Sequence, residues 1–145
     1  MTQEAIGSID PIMERLEQQI TWYDTKSIYN KKAYKLIKVV EIIAAALIPL
    51  IASLNLPYHT NVITGALGVL ITVLEGLIHL NQYPQNWTAY RSTCEALRHE
   101  KYVYLAKAAP YAGVADSYAL LAERIESLVS QEHAKWASVQ TQENK

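Results

Sequence analysis

No charged side chain occurs between residues 42 and 74, although Lys, Arg, Glu and Asp crowd both flanks of that run. So long an uncharged run is rare in a soluble domain of average composition. Within it only His59 can titrate near neutrality. A helix on the surface of a soluble bundle keeps a polar face, because only one stripe of it is buried. Residues 42–54 and 62–74 are apolar nearly all round, and two further helices from a chain of 145 residues cannot wrap them both. The run therefore predicts two membrane-crossing helices, residues 39–56 and 62–80. Each is close to the minimum length for ~30 Å of hydrocarbon. The link between them, residues 57–61, reads as a tight external turn without Lys or Arg.

The basic residues set the expected orientation. Lys26, Lys31, Lys32, Lys35 and Lys38 lead into the first segment, and Arg91 and Arg98 follow the second. Lys and Arg near membrane ends are retained in the cytoplasm, which predicts that both termini lie inside. The first apolar run begins near Leu36, too far along for a cleavable signal, so both segments are expected to remain in the mature protein.

The rest of the chain has helical periodicity. Asp10-Pro11 predicts an N-cap followed by Pro at the first helical position. Ile12, Leu16, Ile20, Tyr23, Ser27, Asn30, Tyr34 and Ile37 then recur in steps of three and four, predicting one helix over 11–54 whose cytoplasmic part is 11–38. Pro84 interrupts the second membrane helix, and a third helix is expected from about Gln85 with Trp87, Tyr90, Cys94, Leu97 and Tyr104 on one stripe. Pro110-Tyr111-Ala112-Gly113 breaks it. A fourth helix is expected over 114–138, with Leu121, Ile125, Leu128, Glu132, Trp136 and Val139 on its core face. The expected fold class is all-α: one domain over 1–145, built as an integral membrane hairpin with long cytoplasmic helices on both sides, 85–139 forming a helical pair.

A net charge of −1 gives no bulk attraction to nucleic acid, and none is expected as a partner. The single cysteine, Cys94, excludes an intramolecular disulfide and reads as a buried thiol. His59, His79, His99 and His133 are scattered, and Glu95 with His99 lacks the two-His spacing of a zinc helix. There is no Gly-rich phosphate loop and no nucleophile elbow. The sequence predicts no enzyme, no cofactor and no metal.

Polar residues of the second membrane segment form a stripe. Asn61, Thr64, Gly68, Thr72, Glu75, His79 and Gln82 share one helical face, while Ile63, Leu67, Leu70, Leu74 and Ile78 occupy the other. Thr64, Gly68, Thr72, Glu75 and His79 are the candidate pore-lining set, although small residues serve close helix packing equally well. Glu41 and Glu75 fall at similar depth near the cytoplasmic edge. They read either as a carboxylate ring favouring cations at a pore mouth or as interfacial groups reaching toward water or Lys38. Pro49 predicts a kink, structural by default.

A further set is cytoplasmic. Trp22, Trp87, Tyr90, Arg91, Glu95 and Glu100 form a candidate charge and aromatic network. Arg91 and Glu95, four apart, pair for ~0.2–0.5 kcal/mol if exposed. Burial between helices or protomers would raise the cost of losing one partner to ~3–5 kcal/mol.

Trp22-Tyr23-Asp24, the W..YR...E.L..E pattern from Trp87 to Glu100, Pro110-Tyr111-Ala112 and Glu132 with Trp136 together resemble the SLATT-like (SMODS- and SLOG-associating) bacterial two-transmembrane families and their related domain of unknown function. The resemblance implies a multi-pass protein of the bacterial inner membrane that acts as a pore-like effector under a cytoplasmic signalling partner. Two features depart from the pattern: the chain has no Phe, and Pro84 interrupts the run into the W..YR helix. Two helices per chain cannot enclose an aqueous path, so a pore requires a homo-oligomer in contact with lipid. The expected function is a homo-oligomeric channel with a preference for cations. The alternative is a non-conducting anchor or scaffold whose cytoplasmic helices bind a partner.

Overall fold

The computed structural model describes residues 10–54 and 59–143, with side chains as far as residue 134. Pro57 and Tyr58 of the expected turn, and the side chains of Trp136 and Val139, lie outside the described residues. Four helices follow one another: α1 (Pro11–Ser53), α2 (Thr60–Asn81), α3 (Tyr83–Leu105) and α4 (Ser117–Glu143). The all-α expectation holds among the described residues.

Local chemistry sets most helix ends. Asp10 Oδ1 accepts hydrogen bonds from the backbone N–H groups of Ile12 at 3.0 Å and Met13 at 3.3 Å, as an N-cap should. α1 then runs unbroken through Pro49. α2 ends at Gln82, whose φ of 47° is left-handed and whose N–H bonds the His79 carbonyl. This places Pro84 in the first turn of α3, where its missing N–H removes no helical bond. Pro84 thus starts a helix, as well as ending one.

α3 stops at Leu105, five residues before the Pro110 break that the sequence suggests. Lys107 adopts a φ of 51°. The Ala108 N–H bonds the Val103 carbonyl at 3.2 Å and the Lys107 N–H bonds the Tyr104 carbonyl at 3.0 Å. That pair of bonds is a Schellman termination with Lys in the position usually held by Gly. α4 begins at Ser117, later than the expected residue 114, because Asp116 Oδ1 accepts from the Ala119 N–H at 2.9 Å and acts as its N-cap.

The chain divides into two compact units, Met1–Lys26 with Ala89–Lys145, and Ser27–Thr88. The first has a core of Leu16, Ile20, Tyr23, Cys94, Leu97, Tyr111, Leu121 and Ile125. These are the stripe positions of three helices plus Tyr111 of the connecting loop. Interlocked apolar side chains of this kind supply most of the stability of short helices.

The second unit contains α2 and the apolar half of α1. Its less exposed positions recur at helical spacing: Ile37, Glu41, Ala44, Ile48 and Ile51 on α1, and Thr64, Leu67, Ile71, Leu74 and Ile78 on α2. Ala44 and Ile78 are buried. Most other apolar residues are uncovered, including Ile42, Leu50, Val62, Val69 and Val73. Only 11% of the apolar window of α1 and 6% of that beginning in α2 are buried, so neither is wrapped by the rest of the chain. Both are long and apolar enough to cross a membrane.

Candidate functional site

In the second unit three charged side chains meet at one point. Lys38 Nζ lies 2.9 Å from Glu41 Oε2 and 2.5 Å from Glu75 Oε2, joining α1 to α2 through one ammonium. The shared ammonium places the two carboxylates at the same level of the helix pair. Their charge is half compensated, leaving one net negative charge per chain. Glu41 is the more enclosed, at 12% side-chain exposure against 55% for Glu75.

The polar stripe of α2 does not behave as one face. Thr64 and Gly68 are half-buried, whereas Thr72, Glu75 and His79 are exposed. The Thr64 hydroxyl donates to the Thr60 carbonyl at 2.8 Å and the Thr72 hydroxyl to the Gly68 carbonyl at 3.0 Å, which satisfies both without water. Of the opposite set, Leu67, Leu74 and Ile78 turn inward while Ile63 and Leu70 stay exposed. An added Cβ at Gly65, Gly68 or Gly76 would meet nothing within 4 Å. The hairpin's own packing does not require these glycines.

At the start of α3, Lys31 Nζ sits 5.3 Å from the centre of the Trp87 ring, a cation–π contact that gives Trp87 a partner on α1. The Ser27 hydroxyl donates to the Trp87 carbonyl at 3.5 Å.

The first unit holds two polar networks. In one, Asp24 pairs with Arg91 at 3.3 Å and with Arg98 at 3.2 Å, and both guanidinium groups also reach Glu95. The four side chains close a ring of alternating charge at the surface, with Arg91 and Glu95 each about half exposed. The Arg91–Glu95 pair is thus of the exposed kind. Asp24 and Arg98 were not in the expected network, although the motif Trp22-Tyr23-Asp24 contains the first.

The other network is internal. Glu100 is 4% exposed and takes hydrogen bonds from Arg124 and from the Tyr111 hydroxyl. Burial alone would push the Glu100 carboxyl up, but the bonds from Arg124 and Tyr111 outweigh it and hold the group below the usual carboxylate value. Burial and the adjoining Glu100 carboxylate push Tyr111 upward, so its phenol stays a donor. Tyr23 behaves likewise: it donates to Glu132 Oε2 at 3.1 Å, and burial together with that carboxylate raises its pKa. Arg124 has no distinguishing sequence pattern, so periodicity could not find it.

Trp22 and Tyr90 meet edge to face, with centroids 5.7 Å apart. Cys94 is fully buried, its thiol directed at the Ile20 carbonyl at 3.6 Å. Burial pushes that thiol up, the opposite of what a nucleophile needs.

Tyr23, Glu100, Tyr111 and Glu132 all fall within the residues that carried the resemblance, and the structure makes them the buried polar contacts of one helical unit. The chain matches the family described as "Protein of unknown function (DUF4231)" over residues 18–119. It belongs to the DUF4231 family. The DUF4231 match takes in all of α2 and α3, most of α1 and the loop that carries Tyr111. No curated protein and no solved structure matches the chain.

Proposed function

We propose that this DUF4231 protein is a homo-oligomeric, two-transmembrane protein of the bacterial inner membrane that forms an ion-conducting, channel-like assembly. One observation carries the reading. The apolar windows of α1 and α2 are almost wholly uncovered, and the exposed side of α2 also carries Thr72, Glu75 and His79. A monomer would present that polar edge to lipid, where ionisable groups are expensive, whereas a ring of copies turns it toward a shared axis. Lys26 through Lys38 and the arginines of α3 favour an orientation with both termini cytoplasmic. The SLATT-like resemblance adds the role of an effector triggered by a cytoplasmic partner.

Reconstitution of the purified chain into planar bilayers tests the proposal. Steps of conductance are expected, with cations favoured, and Glu75→Gln should lower that preference. Silent bilayers across voltage refute conduction, and unchanged selectivity in Glu75→Gln refutes the lining.

The second reading, a non-conducting anchor or scaffold, draws on the Lys38 contact. An ammonium held on both Glu41 and Glu75 weakens the negative field that a cation path would use. On that reading the chain stays in the membrane, passes no current, and offers its cytoplasmic helices to a partner.

A further inference from the structure

The first unit carries an open cleft that neither reading uses. Trp22, Tyr90, Glu132 and His133 line a space of about 230 Å³. Its aromatic wall is extended by Tyr23, whose ring lies 4.8 Å from Trp22 and 6.1 Å from Tyr90. The Glu132 side chain is only 7% exposed. Its Oε2 accepts from the Tyr23 hydroxyl at 3.1 Å, and His133 Nε2 is 4.0 Å from the same oxygen. Oε1 is buried and has no hydrogen-bond partner among the described residues.

A buried carboxylate oxygen without a donor is costly, and natural proteins rarely leave one unfilled. The surroundings favour a cation that compensates its charge. Ring faces attract diffuse positive charge, and a buried carboxylate supplies the counter-charge. A strongly hydrated metal ion requires several oxygen ligands, which this wall does not offer. Trp22 already shows the preference: Lys26 Nζ stands 5.7 Å from its ring centre.

We propose that this cleft binds a small organic ammonium cation of the quaternary or methylated class, its charge resting against the wall formed by Trp22 and Tyr90 and facing the Glu132 carboxylate. The same trimethylammonium chemistry occurs on free cations and on choline headgroups of lipids.

Calorimetry on the full chain in nonionic maltoside micelles, with choline as the probe, tests the site. The control is the neutral carbon isostere, in which a tert-butyl group replaces trimethylammonium. Saturable one-to-one choline binding is expected, with the isostere weaker by about tenfold or more. Glu132→Gln retains an acceptor for Tyr23, and Trp22→Ala alters a half-exposed ring, so both variants should fold; each should weaken choline by about tenfold. Absence of saturable binding, equal binding of the isostere, or parental affinity in Glu132→Gln overturns the proposal. Repeating the titration in nanodiscs separates the sources: loss of the choline signal with phosphatidylcholine, and not with phosphatidylglycerol, assigns the lipid headgroup, and its persistence in both assigns the free cation.

Discussion

Glu100 shows how one residue can hold a helical unit together. It sits on α3, buried at 4% exposure, and its two oxygens receive Arg124 of α4 and Tyr111 of the loop between them. Replacing the carboxylate by an amide leaves one acceptor oxygen, so the guanidinium loses its charged partner and competes with the phenol for the acceptor that remains. Glu100→Gln should therefore destabilise the chain by ~1–3 kcal/mol, measured by chemical denaturation. The pH dependence has a definite sign. The folded carboxyl lies below its usual value near 4.5, so its contribution is complete above that value and is lost as pH falls through the lower folded value. Thermal melts of the parent should decline on acidification below pH 4.5, and Glu100→Gln should flatten that limb. Tyr23 and Tyr111 are raised above 10.0, so their contribution is complete below that value and fades as pH climbs beyond it. Tyr23→Phe should reduce the alkaline loss.

At the scale of elements, α2 carries most of the functional question. The face formed by Leu67, Ile71, Leu74 and Ile78 is turned inward, which leaves Gly65, Gly68 and Gly76 with space around them. Small residues that the helix pair does not need are suited to close approach by another helix. Gly68→Ala should preserve both fold and assembly. Gly68→Leu should preserve helicity but shift the particle to smaller species by light scattering in detergent; unchanged mass would assign Gly68 no part in contact between copies. Lys38 is the other element-level device. Lys38→Met leaves Glu41 and Glu75 facing each other without an ammonium, which should loosen the α1–α2 pair. Cysteine pairs placed across those helices should cross-link less efficiently in Lys38→Met than in the parent.

For the whole molecule, the balance is between apolar surface and water. A chain whose two longest apolar stretches are almost entirely uncovered requires lipid, detergent or further copies of itself. The protein should remain in the membrane fraction after high-salt and alkaline washing, and detergent should release a closed assembly of several copies. A freely soluble monomer would remove both the channel and the anchor reading. The DUF4231 match covers the apolar hairpin and α3 but ends near the start of α4, at residue 119.

What the sequence by itself determined is local. The Asp10-Pro11 start of α1, the apolar run from 42 to 74, and the stripe from Leu16 through Asn30 depend on hydrogen bonds and periodicity within a few turns. Partnerships depended on tertiary structure. Asp24 joins Arg91 and Arg98 across 67 and 74 positions, and Tyr23 meets Glu132 across 109, distances over which spacing along the chain carries no information. The Schellman stop at Lys107 escaped the reading because Lys is an unusual residue for a left-handed turn, and packing around Val103 and Tyr104 had to hold it there. Which side of α2 turns inward was also a tertiary decision. Leu67, Ile71, Leu74 and Ile78 are the less exposed side of α2, and that rotation leaves Thr72, Glu75 and His79 open.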